Sequence, residues 1–380
     1  MTQPIHIGIA GIGRAGWGMH CKELDSRTDR FQITAACDLI PERLAQMEQR
    51  YHCRTYTRIE EMVADPAVEL VDIATRSNDH LAHTLLALEA GKIVFLEKPI
   101  CLNYSEAQQL AQAAAQHPDR LFIRHNRRFD PDFVQVREII ASGKLGEVFE
   151  IRLARHSFQR RDDWQTIRRF GGGQLLNWGP HIVDHALQLL ESPVESLFSD
   201  LKRIAAAGDA EDHVKIVLRG ENKRLVDLEI SGGVAIGAPT YQVFGTRGSL
   251  ALTGKEIRLK YLDPSQPLPE KTASPETPAE YGEPWHVIAA RQAAQPMAAP
   301  AGVPVAVKSS GAPRRSLFGP AEILPWVEET LPVRAGSNAV IWDALYESIR
   351  EGAAFPVRLE ESLEVMRILT LARRGTAFEL

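Results

Sequence analysis

The apolar run Ile5 to Ala10 stops at Gly11-Ile12-Gly13-Arg14-Ala15-Gly16, after which Ala15 to Leu24 can wind as a helix. Strand, glycine turn and helix in that order restrict the fold more than any other stretch, because the glycines stand where a Cβ would interfere. Gly11 permits the tight turn, Gly13 lets backbone amides approach a pyrophosphate, and Gly16 lets the helix pack closely on the strand. Ile12, Arg14 and Ala15 complete the phosphate loop. A second apolar run, Phe31 to Cys37, ends in Asp38, 22 residues beyond Gly16. That matches the spacing of about 20 at which an acid reaches the ribose hydroxyls of a dinucleotide. Asp38 also fits a cap for the helix opening at Pro41.

The alternation continues with a helix over Pro41 to Tyr51, a strand at Leu70 to Ala74 and a helix over Asp79 to Ala90. A strand at Ile93 to Leu96 then enters Glu97-Lys98-Pro99, followed by a helix over Tyr104 to Gln116 and a strand at Leu121 to Arg124. This rhythm predicts a doubly wound parallel sheet, the Rossmann class, over residues 1–125. Short alternating segments at Val148 to Ala154, Val214 to Leu218, Leu225 to Ile230 and Tyr241 to Phe244 predict an open antiparallel sheet in a second α/β domain over residues 126–380. Between Asp263 and Ala312 the composition turns to Pro, Ala, Gly and Ser, so 263–312 is read as an extended loop or arm. Helices over Trp342 to Glu351 and Glu360 to Arg374 follow.

A length of 380 residues accommodates two or three domains, and a formal net charge of -5 offers no long-range attraction to polyanions, so neither nucleic acid nor a membrane surface is an expected partner. No apolar run reaches the length of a bilayer span, and Met1-Thr2-Gln3-Pro4 shows no export signal. Cys21, Cys37, Cys53 and Cys101 form no C-x-x-C pair and are read as reduced, mostly buried thiols, with a cytoplasmic location expected.

Thr75, Asn78, His80, Glu97-Lys98-Pro99 and the segment Gly171-Gly172-Gly173-Gln174-Leu175-Leu176-Asn177-Trp178-Gly179-Pro180-His181, extended to His185, occur in one order. In that order the chain resembles the Gfo/Idh/MocA-family oxidoreductases over roughly residues 5 to 190, and only diffusely beyond, near Trp342 to Gly352. The resemblance implies a Rossmann domain followed by an α/β domain whose large, mainly antiparallel sheet often mediates oligomerisation, here as a homodimer or homotetramer. It implies a nicotinamide cofactor held by the glycine loop with Asp38, Thr75, Asn78, His80, Glu97 and Lys98. It also implies a small-molecule carbohydrate or polyol substrate and no metal.

Oxidising a secondary alcohol requires a base and a local positive charge at one oxygen. Lys98, at the carboxyl edge of a strand ended by Pro99, is the candidate cation, and His181, at the start of a helix, the candidate base. The family pattern often has an aspartate four residues before the histidine, and this chain has Asn177. An amide can orient a hydroxyl but cannot take its proton, so Asn177 is read as a substrate-positioning residue. His185 shares a helix face with His181 and is a pocket candidate, while His-x-x-Asp-His with Asp184 is not read as a metal site. Arg127, Arg128, Arg160, Arg161, Trp164, Arg168 and Arg169 form an arginine-rich run, of which Arg128, Trp164 and Arg168 are candidates for a substrate wall. NAD is favoured over NADP, since the Asp38 carboxylate would repel a 2′-phosphate, with Arg43 near enough to oppose it. The function expected is hydride transfer between NAD(H) and a carbinol or keto carbon of a sugar, sugar derivative or cyclic polyol. The alternatives are NAD-assisted glycoside cleavage by transient oxidation and elimination, and a catalytically silent Rossmann-type sensor.

Overall fold

Six short strands, β1 (Ile5–Ala10), β2 (Phe31–Cys37), β3 (Arg54–Tyr56), β4 (Leu70–Ile73), β5 (Ile93–Glu97) and β6 (Leu121–Arg124), form one sheet in the order β3-β2-β1-β4-β5-β6. All five pairings are parallel. A parallel sheet is covered by helices on both faces, which is why β1 and β4 are buried almost throughout rather than alternating. The strand order reverses direction between β1 and β4, so the connections leaving their carboxyl ends run in opposite directions and open a crevice. In the computed structural model the described residues are 3–275 and 324–379.

The second sheet contains β7 (Val148–His156), β8 (Val194–Lys202), β9 (His213–Gly220), β10 (Leu225–Ser231), β11 (Tyr241–Gly245), β12 (Gly248–Thr253), β13 (Glu256–Leu262) and β14 (Trp326–Pro332). Its order is β14-β13-β12-β11-β7-β10-β9-β8. It is mainly antiparallel, with β7 and β10 paired in parallel at its centre. The described residues of Leu262–Val327 form a unit separate from the rest of the chain. The arm expected over 263–312 lies, from residue 276 onward, outside the described residues. Among the described residues no helix is long and apolar enough to cross a membrane, and the four cysteines are buried and unpaired.

The end of the chain does not stay with the second sheet. Helix Ile341–Glu351 buries Ile341, Trp342, Leu345 and Tyr346 in the same apolar cluster as Ile5, Ile7, Phe31 and Phe95 of the parallel sheet. Trp342 is fully buried, with edge-on contacts to Phe95, Phe31 and His20 at centroid separations of 4.8, 5.5 and 5.7 Å. Its indole Nε1 donates to Glu23 Oε2 at 2.7 Å. Replacing a large buried aromatic by alanine costs about 3–5 kcal/mol. Trp342→Ala should lose at least that much in equilibrium denaturation, because it also leaves a half-buried carboxylate with one donor fewer. A loss below about 1 kcal/mol would mean the helix is not part of the parallel-sheet core.

Candidate active site

The glycine loop follows β1 and meets the end of β4. Gly11 has φ +92°, and a Cβ there would stand 2.5 Å from the Ala74 carbonyl oxygen. A Cβ on Gly16 would stand 2.1 Å from the Gly11 carbonyl oxygen, whereas one on Gly13 meets nothing nearer than an Arg43 nitrogen at 4.0 Å. Two glycines therefore close the turn on itself and the third faces open space, the arrangement that lets a pyrophosphate approach the backbone. The following turn, Gly16–Cys21, is π-helical. The cleft beside it has a volume of about 730 Å³ and is lined by Gly11, Gly13, Arg14, Asp38, Thr75 and Lys98 among others. Open backbone at Gly13 and an acid at the end of β2 fit a dinucleotide.

Asp38 lines this cleft and also braces it. Its Oδ2 accepts from the Ile12 N–H at 2.7 Å, and its Oδ1 accepts from the Ile40 N–H at 2.9 Å. Arg43 pairs with the same carboxylate at 3.2 Å. Thr75 and His80 also line the cleft. The His80 ring is buried between two strand ends, Nδ1 2.6 Å from Pro99 O and Nε2 3.2 Å from Thr75 O. Asn78 is exposed, with its amide donating to Asp79, and does not line the cleft.

Glu97 ends β5 in the interior. Arg124 Nη1 donates to its Oε1 at 2.7 Å, His20 Nε2 lies 3.1 Å from the same oxygen, and the Lys98 N–H donates to its Oε2 at 2.9 Å. Burial alone would raise the Glu97 carboxyl, but Arg124 and His20 hold it well below the usual range. The peptide bond between Lys98 and Pro99 is cis. The Lys98 ammonium donates to the Asn177 carbonyl oxygen at 3.1 Å. Burial lowers its pKa, opposed by Glu97.

The turn carrying Asn177 is set by glycines and a buried acid. Gly173 has φ +109°, and a Cβ there would lie 2.2 Å from Glu211 Oε1. That oxygen accepts from the Leu175 N–H at 3.0 Å, capping helix Gln174–Asn177, after which Pro180 stands at the start of helix Gly179–Leu190. His181 is buried in the first turn of that helix, its Nδ1 without a hydrogen-bond partner among the described residues. Burial, then Lys98 and Arg127, press its pKa well below the usual histidine range. Trp164 lines the cleft, with the Arg76 guanidinium 5.9 Å from its ring centroid, and Arg14 donates to Gln165 at 3.3 Å.

Three expected substrate contacts are engaged elsewhere. Arg128 is buried against Asp184 at 2.5 Å and Glu361 at 2.5 Å, so it ties two helices together. His185 has both ring nitrogens occupied, by Arg127 O and Tyr241 Oη at 2.9 Å each, and stacks on Phe133 at 3.8 Å. Arg168 donates to the Ala377 and Glu379 carbonyl oxygens. The contacts that sequence reasoning missed are His20, Asp72 and Arg124. Their signal was a charge inside an apolar strand, since a buried Asp72 or Arg124 requires a partner.

Residues 5–125 match the oxidoreductase family with NAD-binding Rossmann fold known as Gfo/Idh/MocA, and residues 133–251 match the C-terminal domain of that family. The chain is 26% identical to the scyllo-inositol 2-dehydrogenase (NADP(+)) IolW of Bacillus subtilis, over 98% of its own length and 94% of the relative's. It is 28% identical to the myo-inositol 2-dehydrogenase of Thermotoga maritima, over 65% of its own length and 74% of that protein. It shares its fold with GenD2 from gentamicin A biosynthesis, solved in complex with NAD, at 21% identity and a TM-score of 0.71, covering 99% and 95% of the two chains.

The loop geometry sets a direct expectation for Gly16→Ala. The added methyl group meets backbone rather than a mobile side chain, so the loop must open, and NADH affinity should fall at least about tenfold in a fluorescence titration. Unchanged affinity would show that the close approach of Gly16 to Gly11 does not shape the cofactor site.

Proposed function

The chain belongs to the Gfo/Idh/MocA oxidoreductase family, and we propose that it transfers a hydride between NAD(H) and a carbinol or keto carbon of a sugar, sugar derivative or cyclic polyol. The observation that carries this reading is the contact between Lys98 Nζ and Asn177 O at 3.1 Å. It joins the ammonium at the mouth of the dinucleotide cleft to the turn that leads into His181. The glycine loop would hold the pyrophosphate of NAD(H) and Asp38 a ribose, and the bound cofactor would supply the hydride acceptor or donor through its nicotinamide ring. The names of the two inositol dehydrogenase relatives support a polyol substrate.

The chain's own residues handle the proton and the charge. His181, held neutral by its surroundings, accepts the hydroxyl proton in oxidation and returns one in reduction. Lys98 donates a hydrogen bond to the same oxygen, stabilising alkoxide character as the hydride departs. Asn177 lines the cleft and offers its amide to a neighbouring hydroxyl. Asp38 favours NAD, because its carboxylate repels a 2′-phosphate. Arg43 works against that preference from 3.2 Å away, in keeping with the NADP-dependence that the name of the Bacillus relative carries.

Two pKa directions set the pH profile. In oxidation His181 must be unprotonated, and its pKa lies below 6.5, so kcat/KM should hold as pH falls through 6.5 and decline only at lower pH. Lys98 must be protonated, and its pKa lies below 10.5, so the alkaline limb should fall before that pH. Lys98→Met should lower kcat by about 10²–10⁴, with NADH still bound, and remove the alkaline limb. Activity within a factor of a few of wild type in that variant would exclude Lys98 from the chemistry.

A further inference from the structure

The indole of Trp178 follows Asn177 and lies edge-on to the His181 ring at a centroid separation of 5.7 Å. Two guanidinium groups lie over this one indole, that of Arg155 at 4.1 Å from the ring centroid and that of Arg127 at 5.1 Å. Arg155 comes from the carboxyl end of β7 and Arg127 from the turn Asn126–Phe129 after β6, so separate sheets deliver the two cations to one place. Arg127 acts on Arg155 as a like charge, and because Arg155 is exposed water answers its charge in the free protein and a ligand anion can replace that water.

The carboxylates nearby are already engaged. Asp130 pairs with Arg127 at 2.9 Å and accepts from Asn338 at 2.8 Å. Glu97 is held by Arg124 and His20, and Asp184 by Arg128. Among the described residues the Arg155 guanidinium has no ion pair and no hydrogen bond, and it lies against the Trp178 indole. Burial and the neighbouring Arg127 together pull the Arg155 guanidinium below its ordinary range, against Asp130. One guanidinium charge is thus left without a carboxylate, against the indole that lies edge-on to His181.

We propose that Arg155 and Arg127, over the face of Trp178, bind a carboxylate carried by the substrate, so that the enzyme acts on a sugar acid or a carboxylated cyclic polyol. The inference rests on the hydride-transfer reading for what happens next to that carboxylate. A planar carboxylate matches the fork of a guanidinium, and the indole holds the Arg155 guanidinium in place to receive it. A single uncompensated cation suits one negative charge better than a phosphate dianion. The same charge would act on His181. Arriving beside Arg127 and Lys98, it offsets the two cations that depress the imidazole and brings its pKa nearer to neutrality, where a general acid or base works best.

The test uses the full chain loaded with NADH and matched pairs: glucuronate with glucose, galacturonate with galactose, and a cyclohexane polyol carboxylate with myo-inositol. Calorimetry reads binding, and absorbance with NAD reads turnover. At least one acid should bind ten or more times tighter than its neutral twin. Arg155→Met should reduce that ratio about tenfold or more, and Arg155→Lys should reduce it less. The inference is overturned if no acid binds, if neutral twins bind as tightly, if Arg155→Met leaves the ratio intact, or if a sugar phosphate binds more tightly than the acids. Arg155-dependent acid binding with no NADH formed from any acid that binds would sink the hydride-transfer reading and leave the carboxylate site standing. Turnover of neutral polyols with no preference for acids would do the reverse.

Discussion

The Glu97 carboxylate lies in the interior at 4% exposure, and the carboxyl edge of the parallel sheet is organised around keeping it charged. A carboxylate removed from water costs several kcal/mol unless cations and donors replace the lost hydration. Arg124 and His20 do so here, and each has an anchor of its own. Arg124 reaches Glu23 at 2.5 Å, Glu23 accepts from Trp342, and His20 Nδ1 lies 2.6 Å from Asp72 Oδ2. Burial alone would lower the His20 pKa, but the contact with Asp72 raises it. The chain of contacts joins the helical turn after the glycine loop, strands β4, β5 and β6, and the helix that begins at Ile341. Removing one partner would leave an uncompensated buried charge, a loss of about 3–5 kcal/mol. Lys98, the next residue, inherits its position from this block.

The site built on that edge has an excess of positive charge. Lys98, Arg127 and Arg155 stand near His181 or Trp178, and of the acids around them Asp130 pairs with Arg127 while Glu97 and Asp184 are held by Arg124 and Arg128. Two consequences arise from one cause. A neutral imidazole is available to accept a proton, and a negative charge on a bound reactant is favoured. Developing alkoxide in the reaction and a carboxylate on the substrate answer the same field, which is why the proposed chemistry and the proposed substrate class reinforce each other.

The parallel sheet was legible in the sequence because its signals are local. Glycines at 11, 13 and 16, apolar runs of strand length and an acid at 38 each depend on a few neighbouring residues. The second sheet was legible in kind from its alternation at Val148, Val214 and Leu225. The return of Trp342 to the parallel-sheet core was not, since nothing in an amphipathic helix names the surface it will cover. The same limit holds for Arg128, Arg168 and His185, read from the sequence as substrate contacts without sight of the partners they have within the chain. Residue type announces that a guanidinium or imidazole wants partners, but here the partners Asp184, Glu361, Tyr241 and the Glu379 carbonyl are supplied by the fold. Asp38 does not cap the helix that opens at Pro41, whose N-cap is Ile40 without a side-chain cap bond; its carboxylate instead braces Ile12 and Ile40 while lining the cleft.

The central claim is that Lys98 and His181 meet at a single reacting oxygen. A crystal structure of the enzyme with NADH and an unreacted substrate measures this directly. The account predicts the carbinol or keto oxygen within hydrogen-bond reach, about 2.6–3.2 Å, of both Lys98 Nζ and a ring nitrogen of His181. An oxygen held by Asn177 or the arginines alone, with Lys98 still bound to the Asn177 carbonyl and His181 beyond reach, would contradict it.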